Sequence, residues 1–93
     1  MTDADILTVL KIDLQISSGA LDSYLEGLIA SARAFIKREG VTLADTAEDA
    51  QLVEMYAAYL YRKRRDETAA MPRMLRWALN NRLFSEKAGA ADG

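Results

Sequence analysis

The 93-residue sequence contains no cysteine and no histidine. Without thiols there is neither a disulfide scaffold nor a cysteine nucleophile. Without imidazoles there is no Ser-His-Asp triad and almost no zinc or haem site. Proline occurs once, at Pro72, so little interrupts helix formation. The five glycines, at positions 19, 27, 40, 89 and 93, are too scattered for a phosphate-binding loop or a dinucleotide fingerprint. No apolar run approaches the roughly 20 residues of a spanning helix. Residues 1–5 are acidic where a secretory leader is basic, and the expectation is a cytoplasmic protein with no membrane contact.

Half of the chain, 51%, is hydrophobic, and sixteen of those residues are alanine. A domain of this size buries only about 60% of the surface of its unfolded chain, which leaves much surface for partners. Fourteen acids face twelve bases, a net charge of −2, and they are unevenly placed. Residues 1–50 carry nine acids and four bases, whereas residues 51–93 carry five acids and eight bases. Such asymmetry points either to nucleic-acid contact by the second half or to head-to-tail pairing between copies.

Periodicity predicts an all-α fold, a small bundle of about four helices joined by extended connections. One domain spans residues 1–86, and residues 87–93, rich in Ala and Gly, form an unstructured tail. The first helix runs over Asp3–Lys11, with Thr2 and Asp5 at capping-box spacing. Residues 12–16 alternate apolar and polar and are expected to be extended. The second helix is capped by Ser17 or Ser18 and stopped by Gly40; Leu21, Tyr24, Leu25, Leu28, Ile29, Ala32, Phe35 and Ile36 form its core face. On another side, Ser23, Gly27, Ala30, Ser31 and Ala34 make a ridge of small residues. That ridge is either ordinary surface or a close helix–helix contact with a neighbouring chain.

The third helix starts at Thr46, where Asp49 repeats the capping-box spacing, and ends in Arg62, Lys63, Arg64 and Arg65. Leu52, Val53, Tyr56, Tyr59 and Leu60 share its core face, while Tyr61 points to the opposite side. The fourth helix begins at Pro72, which suits a first turn, and continues to Phe84. It is apolar on two sides: Leu75, Leu79 and Leu83 form one stripe, Trp77 and Phe84 another. Either it is sandwiched inside the monomer or the second stripe belongs to a partner.

No motif carries catalysis. The acidic pairs Glu48/Asp49 and Asp66/Glu67 are adjacent residues, which diverge by about 100° on a helix and cannot aim at one substrate atom. Acids at the start of a helix, Asp45, Glu48 and Asp49 among them, are accounted for by its dipole. The expectation is a non-enzyme without cofactor, metal or small-molecule substrate. The basic run Arg62–Arg65 has a similar dipole explanation, but with Arg73 and Arg76 it also supplies candidate contacts to phosphates or to an acidic partner. Arg73, Arg76 and Asn80 lie at i, i+3, i+7, a ridge able to face a duplex, although the long 66–71 connection does not fit a helix-turn-helix.

Three segments carry a family resemblance. Leu10-Lys11-Ile12-Asp13 follows a short first helix. Asp22-Ser23-Tyr24-Leu25-Glu26-Gly27-Leu28-Ile29-Ala30-Ser31-Ala32-Arg33-Ala34-Phe35-Ile36 is similar to a helix of the type D-x-x-L-x-x-L-I-x-x-A. Met71-Pro72-Arg73-Met74-Leu75-Arg76-Trp77-Ala78-Leu79-Asn80-Asn81-Arg82 supplies the C-terminal segment. In this order and at this length the chain resembles the small head–tail connector, or adaptor, proteins of tailed bacteriophages and prophages, including a DNA-packaging subgroup. Residues 14–20 lack the acids of that pattern, and the turn over residues 40–50 is short. The resemblance implies a structural subunit that assembles as a ring with its own copies beneath the portal protein. It would contact tail-side connector proteins and join head to tail after packaging, with packaged DNA passing through the ring. The location it implies is the cytoplasm of the bacterial host and then the virion neck. On this reading the candidate subunit interface is Ser23, Gly27, Ala30, Ala34, Tyr61, Trp77 and Phe84. The alternative is a DNA-binding or DNA-packaging accessory protein that uses the basic C-terminal half.

Overall fold

Hydrophobic periodicity and capping chemistry divide the chain into α1 (Asp3–Asp13), α2 (Asp22–Arg38), α3 (Ala47–Arg65) and α4 (Arg73–Asp92), with no strand among the described residues. The computed structural model describes residues 2–92, with side chains over residues 2–87. The fold is all-α, as the periodicity predicts.

Each helix end has an identifiable cause. Thr2 and Asp5 form the expected capping box: Thr2 N–H donates to Asp5 Oδ2 at 2.9 Å and Asp5 N–H to Thr2 Oγ1 at 3.2 Å. At the other end α1 continues through Ile12 and Asp13, where the alternation predicts extended chain. It closes in a Schellman motif, with Gln15 in the left-handed region (φ 58°). Ile16 N–H donates to Lys11 O at 2.8 Å and Gln15 N–H to Ile12 O at 3.1 Å. The signal for this ending is hidden because glutamine stands where glycine is usual. α2 ends in the same way, at Gly40 (φ 107°), with Val41 N–H donating to Ile36 O at 3.3 Å. A Cβ on Gly40 would also meet Leu83 of α4 at 3.1 Å, so two constraints select glycine there.

Two predicted caps differ in the structure. α2 starts at Asp22 with Leu21 as N-cap and no side-chain cap; Ser18 Oγ instead accepts from Ala20 N–H at 2.9 Å, in the preceding turn. Thr46 does cap α3, accepting from Asp49 N–H at 3.1 Å. The Asp49 carboxylate does not complete the box, because it is turned toward α4. The fourth helix keeps its backbone conformation well past Phe84. Most of the expected unstructured tail, residues 88–93, lies outside the residues with described side chains.

α3 is the hub, packing against each of the other three helices. Ile6 and Leu10 of α1, Leu25, Leu28, Ile29, Ala32 and Ile36 of α2, and Val53, Ala57 and Ala58 of α3 form its sealed interior. α4 adds Leu75 and Leu79, both fully buried, with Leu83 half-buried beside them. A buried leucine stabilises by about 1.5–3 kcal/mol, so this stripe is what holds α4 to the bundle hydrophobically. Of the predicted α2 face, Leu21, Tyr24 and Phe35 lie at the margin and stay partly exposed. No helix among the described residues is long and apolar enough to cross a membrane.

Candidate functional site

With Leu75 and Leu79 turned inward, the opposite side of α4 faces solvent. Trp77 is 67% exposed, Phe84 77% and Met74 72%. Monomeric proteins seldom expose three large apolar side chains along one helix without a partner for them. The second apolar stripe is therefore not sandwiched inside the monomer. Met74 belongs to it and is absent from the sequence-predicted interface; its position three residues before Trp77 is the signal that could have found it. Beside this stripe runs a groove between α3 and α4 lined by Gln51, Leu52, Met55, Met74, Trp77 and Ala78.

The small-residue ridge on α2 also faces outward. Ser23, Gly27, Ala30 and Ala34 are exposed and Ser31 is half-buried. A Cβ on Gly27 would meet nothing within 4 Å, so no element of the same chain needs the glycine for close approach. Tyr61, in contrast, is engaged within the chain. Its ring packs edge-on against Tyr24 at 6.5 Å, and Arg65 lies 5.1 Å from its centre and donates to its hydroxyl.

The six basic candidates divide by what they touch. Lys63 sits over the Tyr59 ring at 5.9 Å and Arg64 over Tyr24 at 5.7 Å, both keeping their charge at the surface. Arg62 is 3.8 Å from Asp13 of α1. Arg76 pairs with Glu39 at 2.9 Å, at the end of α2. Arg73 is exposed at the start of α4. The run at the end of α3 is thus more than a solvated helix terminus: its stems and charges cover the aromatic seam between α2 and α3.

Two buried carboxylates escape a reading of the sequence. Asp49, 3% exposed, receives Arg82 of α4 through both guanidinium nitrogens and the Ala44 N–H at 2.6 Å. Arg82 also donates to Thr42 O at 2.9 Å, and Thr42 N–H donates to Glu86 Oε1 at 2.7 Å. Burial pushes the Asp49 carboxyl up, but the Arg82 and Ala44 hydrogen bonds, the Arg82 charge and the Thr46 hydroxyl outweigh it and hold the group below the usual carboxylate range. Arg82 lies on the leucine side of α4, and from there it fastens α4 to the start of α3. Glu54, 6% exposed, has the opposite character. Its Oε1 has no hydrogen-bond partner, and burial, with the neighbouring Asp13 carboxyl, pushes its pKa up to about 7 against the pull of Arg62.

No group of three potential metal-binding side chains converges among the described residues. What the arrangement offers is surface: an apolar helix face, a ridge of small residues and a cationic helix end. Comparison with protein-family models, with characterised proteins and with solved structures finds no match for the chain.

Proposed function

We propose that the chain is a structural subunit of a phage head–tail connector, which assembles as a ring beneath the portal and joins head to tail after DNA packaging. The observation that carries this reading is the outward face of α4. Met74, Trp77 and Phe84 are exposed on a domain whose own core is already filled by the other side of the same helix. The sequence resemblance to connector proteins supplies the kind of assembly; the surface supplies a reason for one. In this role the partners are further copies of the chain, the portal protein and the tail-side connector proteins, with the packaged DNA inside the ring, and no catalytic step or cofactor is called for. Native mass spectrometry and negative-stain electron microscopy of the chain, alone and with its portal, test the proposal. Closed rings in either sample support it, and a monomer in both refutes it.

A second reading has its own observation. Lys63, Arg64 and Arg65 present exposed charge at one helix end, and Arg73 opens the next helix. A DNA-binding or packaging accessory protein would use these groups on phosphates. Its affinity for duplex DNA would fall with salt, and each phosphate contact removed by substitution would flatten the log–log slope by about one. No detectable binding at low salt refutes this reading.

A further inference from the structure

The exposed face of α4 has a counterpart on α1 that the connector reading does not name. Val9 is 42% exposed and Ile12 73% exposed, on the outer edge of α1 between Asp5 and Asp13. Beside Val9, between α1 and α3, runs a groove lined by Ile6, Ala47, Ala50 and Glu54. The α4 edge has the reverse electrostatic character. Arg73 and Lys87 accompany Met74, Trp77 and Phe84 along the helix; Glu86, the acid on that helix with a described side chain, is turned inward to the Thr42 N–H, and the acid nearest the stripe is Glu48 of α3, across the groove from Trp77. On α1 the one base, Lys11, is held by Asp22 of α2 at 2.8 Å, and the nearest base of α3 is Arg62, 3.8 Å from Asp13. One edge is therefore apolar and acidic, the other apolar and basic. At about 1.5 Å per residue the apolar stripe of α4 from Met74 to Phe84 is about 15 Å long, enough to cover Val9 and Ile12, with Arg73 and Lys87 beyond its two ends. α1 and α4 each pack on α3 and share no substantial contact, so they present separate edges of the molecule.

We infer that the occupant of the α4 face is the α1 edge of a second copy of this chain. Trp77 seats beside Val9 and Ile12, and a base of the α4 edge, Arg73 or Lys87, approaches Asp5. Such a contact is heterologous: each copy gives one edge and receives the other, which generates a ring or an open row according to the rotation per copy. The inference rests on the reading of the chain as a self-assembling subunit and specifies the surfaces it uses.

The absence of native cysteine makes a clean test available. Ile12→Cys and Trp77→Cys chains are mixed and oxidised, and the adducts are separated by mass after far-ultraviolet circular dichroism has shown both variants folded. The expected product is the mixed disulfide, joining one Ile12→Cys chain to one Trp77→Cys chain, several-fold over either symmetric one. Predominance of the Trp77→Cys symmetric adduct means that α4 packs on α4, and overturns the inference. In parallel, Ile12→Glu and Trp77→Glu are examined by light scattering. Each alone is expected to be monomeric, while their mixture forms a dimer and nothing larger, because one intact edge of each kind remains. Assembly that survives both substitutions overturns the docking and leaves self-assembly standing. A wild-type chain that stays monomeric at every concentration, together with no mixed adduct between the two cysteine variants, removes both.

Discussion

Replacing Glu54 with glutamine should stabilise the protein, and the gain should depend on pH. The side chain is 6% exposed, and Oε1 has no hydrogen-bond partner. Burial and then Asp13 raise its pKa from 4.5 to about 7, while the Arg62 charge pulls the other way. In the folded state the group holds its proton up to about pH 7; in the unfolded chain it loses it near 4.5. Between those values the native state binds more protons than the unfolded state, so stability falls as pH rises through that window and levels off above it. Carried through the linkage relation, the interval corresponds to a ceiling of about 3 kcal/mol. Set below that ceiling, the expected figure is about 2 kcal/mol. Glutamine keeps the shape and a hydrogen-bonding amide toward Asp13 but cannot ionise. At pH 4.5 the variant and the parent should therefore melt together. At pH 8 the variant should be the more stable by about 2 kcal/mol, or about 8–16 °C in Tm for a domain of this size. Urea and thermal melts followed by circular dichroism across pH 4.5–8.5 measure this. A Glu54→Gln chain that is less stable than the parent at pH 8, or whose difference from it is constant with pH, refutes the reasoning: it would mean that the charged form is used in the fold, by Arg62.

Arg82→Met leaves the Asp49 carboxylate buried with its main partner gone. It should cost about 2–4 kcal/mol in urea unfolding, and Asp49→Asn in the same chain should recover part of that loss; additive losses would show that the pair is not coupled. Gln15→Gly relieves a left-handed residue at the Schellman end of α1 and should raise stability by about 0.5–1 kcal/mol, the strain removed less the added freedom of the unfolded chain; a lower Tm contradicts this. Gly40→Ala meets both the positive φ and Leu83, and should lower stability by about 1–2 kcal/mol by the same measurement, whereas a neutral result would mean that the α2–α4 contact yields easily.

The framework is legible in the sequence because it follows from local rules. Thr2 with Asp5, Thr46, Gly40 and Pro72 mark helix ends through backbone chemistry that is contained in a few neighbouring residues. The buried face of α2 follows from 3.6-residue spacing. What is not legible depends on which helix meets which. Ile12 and Asp13 alternate with their neighbours as a strand does, and only the closure of the turn around Gln15 carries α1 through them. Asp49 has the spacing of a capping-box acid, yet α4 brings Arg82 within reach, and a bidentate charged partner outcompetes a backbone N–H. Tyr61 lies opposite the predicted core stripe of α3, but α2 crosses there and supplies Tyr24. Glu54 looks like any exposed glutamate on a helix until α1 covers it. The exposed stripe of α4 is half legible: two apolar sides on one helix reveal a surplus, and only the packing of Leu75 and Leu79 decides which side is left over.

The charge asymmetry between the two halves now has a third explanation beside nucleic acid and neighbouring copies. Among the described residues, ion pairs join the acidic half to the basic half within one chain: Asp13 to Arg62, Glu39 to Arg76, and Asp49 to Arg82. Each ties different helices together, so part of the imbalance specifies how this chain packs on itself. Exposed pairs of this kind contribute little stability, about 0–1 kcal/mol, but the buried Asp49–Arg82 pair fixes the position of α4 on α3. That fixing has a consequence for assembly. An outward Trp77 is useful to a partner only if the helix bearing it is held in one register, and a leucine stripe alone tolerates slippage by a turn. The carboxylate–guanidinium pair removes that freedom. Among the charges outside these pairs, Arg73 and Lys87 on α4 and Asp5 on α1 lie beside the apolar edges, where they can select a partner and orient it.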